Sequence, residues 1–135
     1  MPNALRIAAR LLTGSTYVKL GYDAARTPGG RVDLAAPLLA RIRKVAPIPE
    51  DEVVVRANAA VQVAGGAMLA AGVLPRVAAT AVIGSLIPTT LAGHAYWTID
   101  DTAQRKQQQV QFHKNLALLG GLAYALLDRP EKKTR

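Results

Sequence analysis

Two long uncharged runs joined by a single short turn constrain this chain more than any other feature. Residues 57–97 read ANAAVQVAGGAMLAAGVLPRVAATAVIGSLIPTTLAGHAYW. No charged residue lies between Ala57 and Pro75, and none between Val77 and Ile99 when His94 is neutral; Arg76 alone interrupts. A helix as long as Ala57–Pro75 rises about 28 Å, close to the roughly 30 Å hydrocarbon core of a bilayer. The breaker around Gly72 and Pro75 is too short for anything except an antiparallel return. The pattern predicts a membrane helical hairpin.

The remaining sequence is read against that hairpin. A length of 135 residues suits one domain, 1–135. Half the residues are hydrophobic, yet there is one Phe and one Trp, so the apolar content is mostly Ala, Leu and Val. The mean hydropathy of +0.15 would also suit a soluble helical protein. The average hides segregation, because the charges crowd into 19–56, 100–106 and 128–135. Spans are recognised by runs, and the runs favour a membrane protein over a soluble α-bundle. The chain has no cysteine, which excludes disulfides, Cys-ligated metals and thiol mechanisms. Its net charge of +8 flanks the apolar segments, where anionic headgroups attract it, so nucleic acid is not expected as a partner.

The expected fold is all-α: a membrane-embedded four-helix bundle, with a short amphipathic connector between its first and second helices. The first helix is placed at about 4–22, where Arg6, Arg10 and Lys19 lie toward the ends and can snorkel. In the connector, Leu34, Leu38, Ile42 and Val45 recur at helical spacing among basic residues, with Pro37 placed in a first turn. Such a helix lies on the membrane or caps the end of the bundle. The second helix is placed at 53–74 and the third at 76–97, the latter with a kink near Gly84 to Pro88. Residues 98–109 read as an exposed polar segment before a fourth helix at 110–127, and 128–135 as a charged tail. Three stripes of small residues at four-residue spacing are expected to bring helices together: Asn58-Gln62-Gly66-Ala70, Ala81-Ser85-Thr89-Gly93 and Ala117-Gly121-Ala125.

Polar residues at membrane depth are the candidates for chemistry. Asn58, Gln62, Ser85 and Thr89 are expected to face the interior, either bonding helix to helix or touching a ligand. His94 and Trp97 end one helix, while His113, Lys114 and Asn115 begin the next, so one loop holds all five at one interface. That cluster has the chemistry to bind a quinone headgroup, a lipid phosphate or a partner; it equally has the composition of an aromatic and basic anchor. No metal site is expected, and no catalytic signature emerges: Ser15 and Ser85 lack a recognisable base, and Gly65-Gly66 and Gly120-Gly121 lie inside apolar runs.

The stretch NAAVQVAGGAMLAAGVLPRVAATAVIGSLIPTTLAGHAYW, followed by QFHKNLALLGGLAYAL, resembles the DoxX family of small bacterial membrane proteins. Asn58, Gln62, Pro88, His94, Trp97, Lys114 and Asn115 are the positions that carry the resemblance, which is looser over RIAARLLTGSTYVKLGYDAAR. The resemblance implies four transmembrane helices in the bacterial plasma membrane, with both termini cytoplasmic. It also implies association with membrane oxidoreductase assemblies. Without cysteine, the chain lacks the dithiol chemistry of four-helix quinone reductases.

The function expected from these observations is that of a non-catalytic integral membrane subunit that docks or stabilises a redox complex. A different class of function, a binder or carrier of a lipophile such as menaquinone or a lipid, stands as the alternative. The expected partners are the bilayer and a membrane or peripheral oxidoreductase, or a second copy of the chain. No cofactor is expected beyond a bound quinone or lipid. Basic residues divide evenly between the two ends, so the positive-inside rule assigns no orientation.

Overall fold

The computed structural model describes residues 2–127, and the side chains of 4–127. These form five α-helices and one 3-10 turn: α1 Pro2–Arg26, α2 Gly30–Arg43, α3 Asp51–Ala71, α4 Pro75–Gly93, the turn Tyr96–Thr98, and α5 Thr102–Leu127. The fold is all-α, as expected. It departs from a plain four-helix bundle because the connector is a 14-residue helix of its own, and because the long helices pack in sequence. α1 lies against α3, α3 against α4, and α4 against α5, while α2 packs across both α3 and α4. The charged tail expected at 128–135 lies outside the described residues.

The hairpin turn forms as its residues dictate. Gly72 ends α3 in the left-handed region at φ 70°, with its amide on the Leu69 carbonyl and the Val73 amide on that of Met68. This is a Schellman closure, which glycine adopts without steric cost. Pro75 then opens α4, where its missing N–H is of no consequence.

The closest helix approach is between α1 and α3, and it depends on glycine. A Cβ at Gly14 would lie 2.4 Å from the Gly66 carbonyl oxygen and 2.6 Å from the Ala70 amide nitrogen. A Cβ at Gly21 would lie 2.8 Å from the Ala59 oxygen. Gly14 and Gly21 are two turns apart and share one face. On the far side of α3, Gly65 gives room to Val82 of α4.

The small-residue stripes therefore act differently from expectation. A four-residue step advances 400°, so Asn58 to Ala70 winds roughly 120° around α3. Its first two members face α4 and its last two face α1. In the stripe on α5, a Cβ at Gly121 would meet nothing within 4 Å among the described residues, so that position makes no close contact with another described helix.

The core sits where all four long helices converge: Tyr17, Leu69, Ala78, Ala79, Val82, Leu86 and Leu122 form one buried cluster. The outer surface is apolar as well. Leu12, Val61, Ile87, Leu91, Leu116 and Leu118 are all exposed. α3 and the stretch Pro75–Thr98 are long and apolar enough to cross a membrane. Within the most apolar part of each, only 28% and 33% is buried, whereas a core helix of a soluble protein would be mostly enclosed.

Several boundaries moved: α1 continues to Arg26, and α4 ends at Gly93, which leaves Trp97 in the 3-10 turn instead of at a helix end. α2 begins at Gly30, because Pro28 and Gly29 supply a turn whose carbonyls accept from Arg31 and Val32. Pro37 therefore lies inside the helix, and Leu39 is the residue it buries. α5 begins at Thr102, two turns before the expected start, because the Asp101 carboxylate accepts the Gln104 amide at 2.7 Å and caps it. The residues 101–107 are exposed as expected, but mostly helical.

Candidate functional site

The polar residues of the hairpin meet at its centre. Thr89 Oγ1 accepts from Asn58 Nδ2 at 2.8 Å and from Gln62 Nε2 at 3.4 Å, and donates to the Ser85 carbonyl at 2.8 Å. Ser85 Oγ donates to the Asn58 carbonyl at 3.2 Å. One donor and two acceptors are all a hydroxyl has, so Thr89 is saturated. Gln62 and Ser85 are buried, at 7% and 4% exposure. All four residues named from the sequence are thus brought together, as a helix-to-helix link between α3 and α4.

A second link joins α4 to α5. Thr90 Oγ1 donates to the Leu86 carbonyl at 2.7 Å and accepts from Asn115 Nδ2 at 3.0 Å. Pro88 lies between the two hydroxyl bonds and has no amide to offer the Gly84 carbonyl. Thr89 and Thr90 give second donors to the next two carbonyls along, which supports the chain around the proline.

The interfacial cluster is divided. His94 Nδ1 pairs with Gln108 Oε1 at 2.7 Å, fastening the end of α4 to the first turns of α5. Trp97, Tyr96 and Phe112 stack edge-on, with centroids 5.3–5.7 Å apart, and His113 sits 5.9 Å from Phe112. His113 Nδ1 donates to the Gln109 carbonyl at 2.9 Å. Lys114 is exposed, while Asn115, a further 100° around the helix, faces α4. His113 thus joins Trp97, Tyr96 and Phe112 in an aromatic corner, His94 fastens α4 to α5 through Gln108, Asn115 belongs to the core link, and Lys114 is exposed beside His113. Gln108 was not singled out from the sequence; its only signal was its place in a polar run that proved helical.

At the same end, Arg43 pairs with Asp51 at 2.7 Å, and Arg56 pairs with Glu52 at 2.9 Å and donates to the Ala25 carbonyl. Arg56 thereby ties α3 to the end of α1. The opposite end holds an open cleft of about 940 Å³ between the start of α1, the α3–α4 turn and the end of α5. Arg6, Arg10 and Arg76 line it, together with Leu69, Leu122 and Tyr124. From the sequence these arginines count among the basic residues of one membrane side, and the four-residue spacing of Arg6 and Arg10 places them on one face of α1. Among the described residues, no group of three or more His, Asp or Glu side chains could hold a metal ion.

Comparison with known proteins gives one match. Residues 5–95 fit the model of the DoxX family, which takes in α1, α2, α3 and α4. The matched stretch includes α1, where the residue-level likeness was looser, and it stops before Trp97, His113, Lys114 and Asn115. No curated protein and no solved structure matches the chain. With two-thirds of its length under the family model and a hairpin of apolar helices at its centre, the chain belongs to the DoxX family, whose members are membrane proteins.

Proposed function

We propose that the protein is a multi-pass subunit of the bacterial plasma membrane that docks or stabilises an oxidoreductase complex and performs no catalysis of its own. In this reading α1, α3, α4 and α5 all cross the bilayer and both termini are cytoplasmic. α1 and α5, with 25 and 26 residues, have ample length. The arginines and lysine of α1 lie toward its ends, where long side chains reach the headgroups.

One observation carries the reading. The polar side chains at mid-depth bond to one another, Asn58 and Gln62 to Thr89, Ser85 to Asn58, and Asn115 to Thr90. A reaction centre needs polar groups aimed at a substrate. Here they are directed at neighbouring helices, which leaves the outer surface as the working part of the molecule. The exposed interface of the aromatic corner with Lys114 is the proposed contact for a partner.

The test is affinity capture of the full chain after gentle solubilisation, with mass spectrometry of bound proteins. Stoichiometric recovery of a redox protein, reduced by Lys114→Met, is the expected result. Recovery of the chain alone or only as copies of itself would refute it. A second reading, binding of a lipophile such as menaquinone or a lipid, is favoured by the open cleft at the other end. It predicts an extractable small molecule in the purified protein.

A further inference from the structure

We propose that the arginine cleft binds the phosphate of an anionic phospholipid, whose acyl chains run along its apolar wall. Arg6 and Arg10 come from one face of α1, and Arg76 from the start of α4. Leu74, Val77 and Leu127 line the cleft and are exposed, and they form its apolar wall. A cationic rim over an apolar trough is complementary to a molecule with an anionic head and a hydrocarbon tail.

Arg10 is the centre of the argument. It is half-buried, and its Nη1 lies over the turn at Gly72, where a Cβ would come within 2.6 Å of it. Glycine at that position, required by its positive φ, also lets the guanidinium rest on the turn. No hydrogen bond or ion pair joins Arg10 to another described residue. Arg6 and Arg76 each engage a further group already. The start of α4 adds the positive end of a 19-residue helix to the same cleft. A half-buried cation at the membrane interface needs an anion beside it, and headgroup phosphate is the anion a bilayer supplies.

The proposal rests on the membrane reading, which carbonate extraction tests separately. Native mass spectrometry of the full chain, titrated with phosphatidylglycerol or phosphatidylcholine in detergent, tests the site itself. One retained phosphatidylglycerol with a clear preference over phosphatidylcholine is expected. Arg10→Gln should weaken that retention by about tenfold. Arg10→Lys should keep part of the retention, and Lys44→Gln at the opposite end should keep all of it. If Arg10→Gln fails to fold, Arg76→Gln carries the same comparison. Equal retention of the two lipids would overturn the proposal. So would an equal loss in Lys44→Gln, displacement of the lipid by millimolar inorganic phosphate, or a quinone bound in its place.

Discussion

The α1–α3 crossing should fail on addition of a single methyl group at Gly14. A Cβ there would meet the Gly66 oxygen at 2.4 Å and the Ala70 nitrogen at 2.6 Å, about 1 Å inside the 3.4 Å where ordinary contact begins. Both obstacles are backbone, so no rotamer change relieves them. Alanine gains up to about 1 kcal/mol of helix propensity over glycine. Against that, overpacking costs about 1–3 kcal/mol, and a clash with a neighbouring backbone belongs at the upper end. The net expectation for Gly14→Ala is a loss of about 2 kcal/mol. Gly66→Ala should behave alike, since its Cβ would lie 2.7 Å from the Gly14 oxygen. The double variant should cost less than the sum, because the first substitution already separates the helices. Gly120→Ala, where a Cβ meets nothing within 4 Å, is the control and should be neutral or slightly stabilising. Thermal unfolding in detergent reads all four. Wild-type stability in Gly14→Ala and Gly66→Ala would refute the crossing.

Three further outcomes follow from the hydrogen bonds. An Asn58→Ala and Thr89→Val double-mutant cycle should show a coupling of about 0.6–1.5 kcal/mol across α3 and α4, and additive losses would deny the link. Tyr17 is 2% exposed and its hydroxyl has no partner among the described residues, so Tyr17→Phe should raise stability by about 1 kcal/mol; a lower melting temperature would mean the hydroxyl is satisfied. Asp101→Ala should remove a cap worth about 1 kcal/mol and speed hydrogen exchange at the Gln104 amide, while unchanged exchange would refute the cap.

Much of the architecture is legible in the residues alone, and the remainder fails for identifiable reasons. The uncharged runs announce α3 and α4, and Gly72 with Pro75 announces their turn. The inward placement of Asn58 and Gln62 follows because lipid offers amides no partners. A four-residue stripe, however, does not keep to one face of a 3.6-residue helix, so Gly66 turns toward α1 while Gln62 turns toward α4. Gly14 and Gly21 drew no notice because they sit alone among larger residues, and their role appears only with the facing backbone of α3. The two extra turns of α5 depend on Asp101 acting as a cap, a choice that the polar run 98–109 leaves open. Among the site residues, Asn115 and Lys114 are neighbours in sequence but point to different surroundings, which spacing along a helix dictates and a loop-based grouping overlooks. The arginine cleft joins α1 to the α3–α4 turn, and a relation over that distance in sequence has no local signal.

The central claim, that four helices cross the bilayer with α2 and the 98–101 loop on one side and the α3–α4 turn on the other, has a direct test. The chain contains no cysteine, so single cysteines placed at Ala4, Thr27, Val73 and Ala103 report without background. Labelling of intact cells with a membrane-impermeant maleimide reads which positions face outward. The account predicts that Thr27→Cys and Ala103→Cys react alike, and that Ala4→Cys and Val73→Cys react alike and opposite to them. Reaction of Val73→Cys together with Thr27→Cys, or recovery of the labelled protein in the soluble fraction, would contradict it.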